Sequence, residues 1–428
     1  MVNTSVKKVS LIFLIILLVF PVLYGCGNGN GETDETIPLT PKTPEPTPEA
    51  SPETVNITIG NHTDLTGVAS NAMSILTMAL KDMCGYYNEE NIIPGVNLKV
   101  VDYDGQYDPS NDIPGYQWLK ERGADLIFTP VASTAVTLKP RLENDKMVLF
   151  TPAAAEEAFD PPGYVFSLGN ALAEHLSYTL LKWIAENDPD FPRNRPAKIG
   201  GAFWNEAEGT ALLKGAEEYA KAHPEQYEWE GGFLTGFGFN WSTEVEALKD
   251  CDYVLPPVPM HQFVEQYRKA GHPHAKFIGS DPHAAFLGMI ERAGLWDEID
   301  GMLFIRSFRW WNEEGKIMDL TRRLLYEKHP DKADEIRQSG VGYITTQPVY
   351  VMLEAVKATV ERVGAENFSS EELFETLQSF SIEVDGCPHS YTETKRVDND
   401  ALAIFELKAE EKDLYRADPG WLPVVKQP

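Results

Sequence analysis

The residues best placed to do chemistry stand just behind apolar runs. After "LIFTP" come Ser133 and Thr134, where a helix is expected to begin. Two small hydroxyls at a helix start, beside its unpaired first N–H groups, make a ready anion site. After "VLFTP" come Ala153, Ala154 and Ala155, whose small side chains let a ligand approach the backbone. Ordinary capping and tight packing use the same residue types, so both readings stay open. After "KFIGS" stands Asp281, an acid that also suits the N-cap of "PHAAFLGMIERAG".

No catalytic set accompanies them. The chain has no GxSxG elbow, no HExxH, no P-loop and no GxGxxG between a strand and a helix. The glycines of "TGFGF" read as a loop. His261, His272, His274 and His283 fall in one window with Asp281. The strand "KFIGS" separates His272 and His274 from Asp281 and His283, and five residues span roughly 16 Å, too far to share one ion. These histidines are expected in surface loops. The expectation is a binding protein without cofactor or metal, not an enzyme.

The ends of the chain bear on location. Lys7 and Lys8 precede "SLIFLIILLVFPVLY", a positive segment followed by an apolar one of signal-peptide length. A membrane span needs about 20 apolar residues, and Pro21 interrupts this run. Leu23-Tyr24-Gly25-Cys26 resembles a bacterial lipobox, in which Cys26 takes diacylglycerol and becomes the new N-terminus. Residues 1–25 are thus expected to be a lipoprotein signal peptide. Residues 26–54 are rich in Pro, Thr and Glu and nearly devoid of apolar residues, so they are expected to form a disordered tether. The remainder is an outward-facing body lipid-anchored to the cell membrane.

That body runs to roughly 375 residues, more than one core usually holds, so two lobes are expected. A hydrophobic share of 43% is that of a globular chain. A net charge of −28 excludes nucleic acid and anionic membrane surfaces as partners, and keeps the protein soluble. Cys84, Cys251 and Cys387 show no CxxC spacing, which argues against zinc, and one disulfide with one free thiol is compatible with them.

Buried, non-alternating strands alternate with helical stretches from residue 55 on: "VNITIGNHT", "NLKVVDYD", "ADLIFTPV" and "MVLFTPA", each followed by a helix. The rhythm restarts after residue 172 with "AKIGGAFW", "CDYVLPPV" and "KFIGS". Such strands belong in parallel sheets covered by helices on both faces. The fold expected is α/β, with two doubly wound lobes joined by hinge crossovers. In open α/β sheets ligands sit outside the carboxyl ends of the strands, here the cleft between lobes, and closure about a hinge follows. "TTQPVYVMLEAVKATVERVG" reads as a long helix, "SSEELFETLQSF" opens with a capping box at Ser369, and "ALAIFELK" is one more strand.

In this order the segments resemble the type I periplasmic binding proteins of the branched-chain amino acid (Leu/Ile/Val) family. "DLTG", "VDYDGQYDP", "PVAST" and "LFTPAAA" match in the first lobe; "NWSTEVEALK", "CDYV", "KFIGSD" and "DGCPHSYTETKR" follow in the second, over residues 55 to 410. The resemblance implies an N-terminal lobe of 55–172 plus about 307–382 and a C-terminal lobe of 173–306 plus about 383–428. It implies a ligand carboxylate held by Ser133, Thr134 and neighbouring N–H groups, backbone contacts at Ala153 to Ala155, and an ammonium accepted by Asp281. Asp64 of "DLTG" and Tyr107 join the ligand-facing set. Ala155 replaces a threonine of the family, and Glu208 and Pro259 stand where an aromatic often faces the ligand. Trp204 and the "RSFRWW" residues Phe308, Arg309, Trp310 and Trp311 offer rings instead, which suits a larger or aromatic carboxylate. Tyr107 replaces a disulfide cysteine of some members. The implied role is a monomeric solute-binding protein delivering an amino acid or related small carboxylate to an ABC transporter permease. A sensor receptor and a secreted hydrolase are the alternatives; the first usually carries its own spanning and signalling segments, and the second lacks a nucleophile with its base.

Overall fold

The computed structural model describes residues 54–428 apart from 153–155, 273 and 341. Cys26, the tether and Ala153, Ala154 and Ala155 therefore lie outside the described residues. Five strands form a first sheet: β1 Val55–Thr63, β2 Val96–Asp104, β3 Leu126–Phe128, β4 Leu149–Thr151 and β5 Val165–Ser167, all parallel, in the order β2-β1-β3-β4-β5. A second sheet repeats the pattern with β6 Ala197–Trp204, β7 Tyr227–Thr235, β8 Tyr253–Leu255, β9 Lys276–Ser280 and β10 Leu303–Arg306, ordered β7-β6-β8-β9-β10. Each set is a doubly wound unit whose strand order reverses between its first and third strands, and such reversals leave a crevice for ligands.

Five later strands complete it. The hairpin β11 Ser381–Val384 and β12 Cys387–Ser390 stands by itself, while β13 Ala401–Lys408 adds antiparallel to β10. β14 Asp413–Arg416 and the short β15 Leu422–Pro423 both pair with β13.

The burial of both sheet faces explains the unbroken apolar strands. On one face of the first sheet, Ile57, Ile59, Phe128 and Phe150 pack with Leu80 and Met83 of the Ser70–Glu89 helix and with Val349 and Val356 of the Thr346–Val363 helix. On the other, Ile127, Leu149 and Val165 meet Tyr116, Leu138 and Leu142. In the second sheet Ile199, Ile278 and Ile305 point to Leu176, Ile184 and Leu212, whereas Val254, Phe277 and Phe304 join Phe263, Tyr267 and Ile290. Each such side chain contributes about 1.5–3 kcal/mol on burial. Cys84, Cys251 and Cys387 are all buried and all free, so the compatible disulfide is not formed.

The chain passes between the sheets three times, and the passages are tied in one buried network. Gly169 donates its N–H to both oxygens of Asp398 (2.7 and 2.8 Å), and Asp398 also meets His389 Nδ1 at 2.8 Å. Ser307 Oγ donates to Asn170 Oδ1 at 3.1 Å, and the Tyr391 hydroxyl donates to the Ser167 carbonyl. Gly169 has φ +69°, and a Cβ there would lie 1.7 Å from Phe308. Only glycine lets the first and second passages touch.

Candidate functional site

The carboxyl ends of the two sheets enclose a cavity of about 160 Å³, at both strand-order reversals. The first sheet contributes Pro130 and Ala132 behind β3 and an apolar wall of Val68, Met73 and Leu76. The second contributes Trp204, Glu208, Val258, Asp281 and Arg306, with Phe308 on the passage beyond. Tyr107, Trp204, Glu208 and Asp281, four residues singled out in the sequence, thus come together at one cavity, as does Pro259.

Thr134 and Asp64 are positioned differently. Thr134 is 1% exposed and its hydroxyl, expected at the ligand carboxylate, donates to Asp112 Oδ1 at 2.8 Å. Burial lowers the pKa of His62 and raises that of its neighbour Asp112. Asp64 is wholly buried and accepts from the N–H groups of Gly67 (2.5 Å) and Ala69 (2.9 Å), fastening the turn before the Ser70–Glu89 helix. Ser133 is half-buried at the second position of the Ala132–Asp145 helix. The first backbone N–H to close a bond there is that of Ala135, onto Val131. The earlier N–H groups, beside the cavity residue Ala132, find no backbone partner among the described residues, as is usual at a helix start.

Across the cavity the polar groups are carried by side chains. Glu206 caps the Ala207–Ala222 helix, accepting from the N–H groups of Glu208 (2.9 Å) and Gly209. Glu208 lies one turn-step on, and its Oε1 is buried with no partner among the described residues. Burial, followed by the nearby charges of Glu206 and Asp281, pushes its carboxyl up to about 8. At pH 7 it is mainly a neutral acid that can donate one O–H.

Asp281 is not the helix cap. Ser280 holds that place in a reciprocal pair with His283, whose Nδ1 accepts the Ser280 N–H at 3.0 Å. Nε2 of the same ring therefore carries the proton and donates to the Pro256 carbonyl at 2.9 Å. His283, expected in a surface loop, is fully buried beneath Phe203, and burial lowers it to about 4. Asp281 itself accepts from Arg306 Nε at 2.5 Å and from the Ser307 N–H at 3.3 Å. Its charge is therefore already matched by a guanidinium.

Arg306 and Glu206 are the residues that sequence reasoning missed. Arg306 closes the apolar run "GMLFIR" at a strand end, the same signal that singled out Asp281. It is 0% exposed, and its Cζ lies 4.3 Å from the Trp310 ring centroid and 5.5 Å from that of Phe405. Both Nη1 and Nη2 are buried without a partner among the described residues. Of the four "RSFRWW" residues named above, Phe308 alone lines the cavity. Trp310 and Trp311 turn to a separate recess, donating to Asp413 and to the Gly340 carbonyl (3.0 Å), while Arg309 is spent on the Asp385 carbonyl.

Aromatic side chains ring the cavity mouth. Phe237, 56% exposed on the loop behind β7, stands edge-on to Tyr107 at 6.2 Å and 5.0 Å from Trp204. Trp204 Nε1 donates to the Gly238 carbonyl of that loop at 2.9 Å. This is the "TGFGF" loop, so it carries cavity-mouth rings as well as glycines. Among the described residues no group of three His, Cys, Asp or Glu could hold a metal ion, and no helix is long and apolar enough to cross a membrane.

A family model described as periplasmic binding protein matches residues 56–412. Among solved structures, the chain is similar to a branched chain amino acid ABC transporter protein from Thermus thermophilus with bound valine. That pair is 18% identical over 87% of this chain and 97% of the other, with a TM-score of 0.73. A fatty acid ABC transporter substrate-binding protein from Thermomonospora curvata matches with a TM-score of 0.73 and 16% identity, over 86% and 92% of the two chains. A solute binding protein from Rhodopseudomonas palustris BisB5 in complex with 3,4-dihydroxy benzoic acid matches with a TM-score of 0.69 and 15% identity, over 87% and 99%. At these identities the likeness is one of fold. No curated protein matches.

Proposed function

The chain belongs to the periplasmic binding protein family, and on that premise we propose that it is the extracytoplasmic solute-binding component of an ABC importer. It takes up an amino acid or a related small carboxylate and closes two lobes around it. The observation that carries this reading is the cavity itself, placed at the strand-order reversals of both sheets and walled mainly by apolar side chains with a few polar groups.

On this reading the lobes are 55–172 with about 307–382, and 173–306 with about 383–428. The network joining Gly169, Ser307 and Asp398 is the hinge about which they close. From the first lobe the ligand meets the N–H groups at Ser133 and Thr134; from the second it meets Glu208, Asp281 and Trp204, with Tyr107 at the mouth. Lipid on Cys26 and the tether of residues 26–54 hold the body at the membrane beside its permease.

A thermal-shift screen of amino acids, aliphatic and aromatic carboxylates and small amides tests the binding role. A ligand at about 100 times its dissociation constant adds roughly 2.7 kcal/mol and raises the melting temperature visibly. A panel without a single shift counts against the reading. The tether is tested separately by Cys26→Ser, which should leave binding intact and move the protein out of the membrane fraction; retention there refutes the anchor.

A further inference from the structure

The cavity's uncommitted polar groups point one way chemically. Asp281 has one oxygen on Arg306 Nε and the other on the Ser307 N–H. Glu206 has both oxygens on backbone N–H groups of its own helix. The two carboxylates that could have met a ligand cation are thus occupied. What remains is the Nη1 and Nη2 pair of Arg306 and Oε1 of Glu208, all buried without partners among the described residues. Arg306 offers only donors, in a planar fork that matches a carboxylate. A carboxyl pushed up to about 8 adds an O–H donor rather than a second negative charge.

Resting on the solute-binding reading and narrowing it, we propose that the ligand is an apolar carboxylic acid whose carboxylate lies bidentate on Nη1 and Nη2 of Arg306, with no amine required. The guanidinium is built for such a role. Asp281 fixes it through Nε, the Trp310 ring supports its face at 4.3 Å, and burial removes competing water. Planar, charge-assisted pairing of this kind is the strong form of carboxylate recognition. The opposite wall of Val68, Met73 and Leu76 receives the hydrocarbon part, be it a chain or a ring. This reassigns Asp281 from holding an ammonium to orienting the residue that holds the acid.

The test uses the purified full-length chain and five probes: octanoate, phenylacetate, octanamide, octylamine and leucine, read by calorimetry and thermal shift. Octanoate or phenylacetate should bind, and octanamide, the uncharged match of octanoate, should bind at least tenfold more weakly. Arg306→Lys should lose at least tenfold in acid affinity, because a point charge cannot make the bidentate pair. The acid-against-amide contrast runs on the unaltered chain, so the inference stays open to refutation if that variant fails to fold. Equal binding of octanoate and octanamide overturns it. Binding of leucine or octylamine with both acids silent also overturns it, while leaving the solute-binding reading standing. Silence toward all five overturns it and weighs against that reading as well.

Discussion

The two sheets share one strand order, yet the rims they present to the cavity differ in kind. Along the first sheet the polar side chains are spent inward: Asp64 on its own turn, Thr134 on Asp112. What that rim turns to the cavity is backbone, apolar surface and the Tyr107 ring. Along the second sheet the side chains pair with one another and, among the described residues, leave a remainder: the terminal nitrogens of Arg306 and Oε1 of Glu208. On the reading proposed above, one topology thus serves as a wall on one side and a recognition surface on the other. The difference teaches that strand-end position brings residues to the cavity, while the hydrogen-bond accounts of each residue decide which polar groups are left uncommitted there.

The largest effect expected from this contrast lies at Asp281. Removing one partner of a buried ion pair strands the other, and Arg306 has no exposure through which to recover water. Asp281→Ala should cost about 3–5 kcal/mol of stability, read as a fall in the denaturant midpoint. A loss below about 1 kcal/mol would break the claim that the second rim is built around this pair.

Next comes Glu208, where the sign of a pH effect is the readout. Its folded-state carboxyl holds its proton to about 8, whereas an unfolded one releases it near the ordinary glutamate value of 4.5. Between those values the native chain binds more protons than the unfolded chain, so this group's contribution is lost as pH rises from 5 to 8. Discounted for its contact with solvent at the cavity, the effect is about 2 kcal/mol. Glu208→Gln should flatten that part of the pH–stability curve relative to the unaltered protein. Parallel curves for the two proteins would show that Glu208 is ionised throughout, and the second rim would then carry an uncompensated negative charge.

On the first rim Thr134→Val keeps the shape and removes the donor to Asp112. A destabilisation of about 1 kcal/mol is expected, with ligand affinity unchanged, because the hydroxyl faces the scaffold. A drop in affinity without a drop in stability would move Thr134 into the recognition surface and erase the contrast.

How far the sequence reached follows the same division between local and distant causes. The doubly wound halves were legible because buried parallel strands are apolar without alternation, and "AKIGGAFW" coincides with β6. Trp204 was legible as a strand-end residue and Glu208 through the family resemblance, and both line the cavity. Arg306 was passed over because its importance comes from Asp281, 25 residues earlier, and from outer nitrogens that have no partner among the described residues. His283 read as a surface residue since its cap on Ser280 is local but its cover, Phe203, arrives from another strand. Trp310 and Trp311 sit beside a passage between the sheets, yet their N–H groups are claimed by Asp413 and Gly340, which no nearby residue announces. Pattern finds elements; the direction of a side chain depends on partners far along the chain.

The smallest effect expected is at Ser133, and it is the sharpest check on the wall. The residue is half-buried in the first turn of the Ala132–Asp145 helix, and its carbonyl accepts the Thr137 hydroxyl at 2.9 Å. Ser133→Ala keeps that carbonyl and the backbone N–H while deleting the side-chain oxygen. If the first rim meets ligand through backbone alone, stability should change by less than about 0.5 kcal/mol, and calorimetric affinity by no more than about twofold, since RT ln 2 is about 0.4 kcal/mol. A tenfold loss would mean that the Ser133 hydroxyl makes a ligand hydrogen bond of about 1.4 kcal/mol, and that both rims read the solute with side chains.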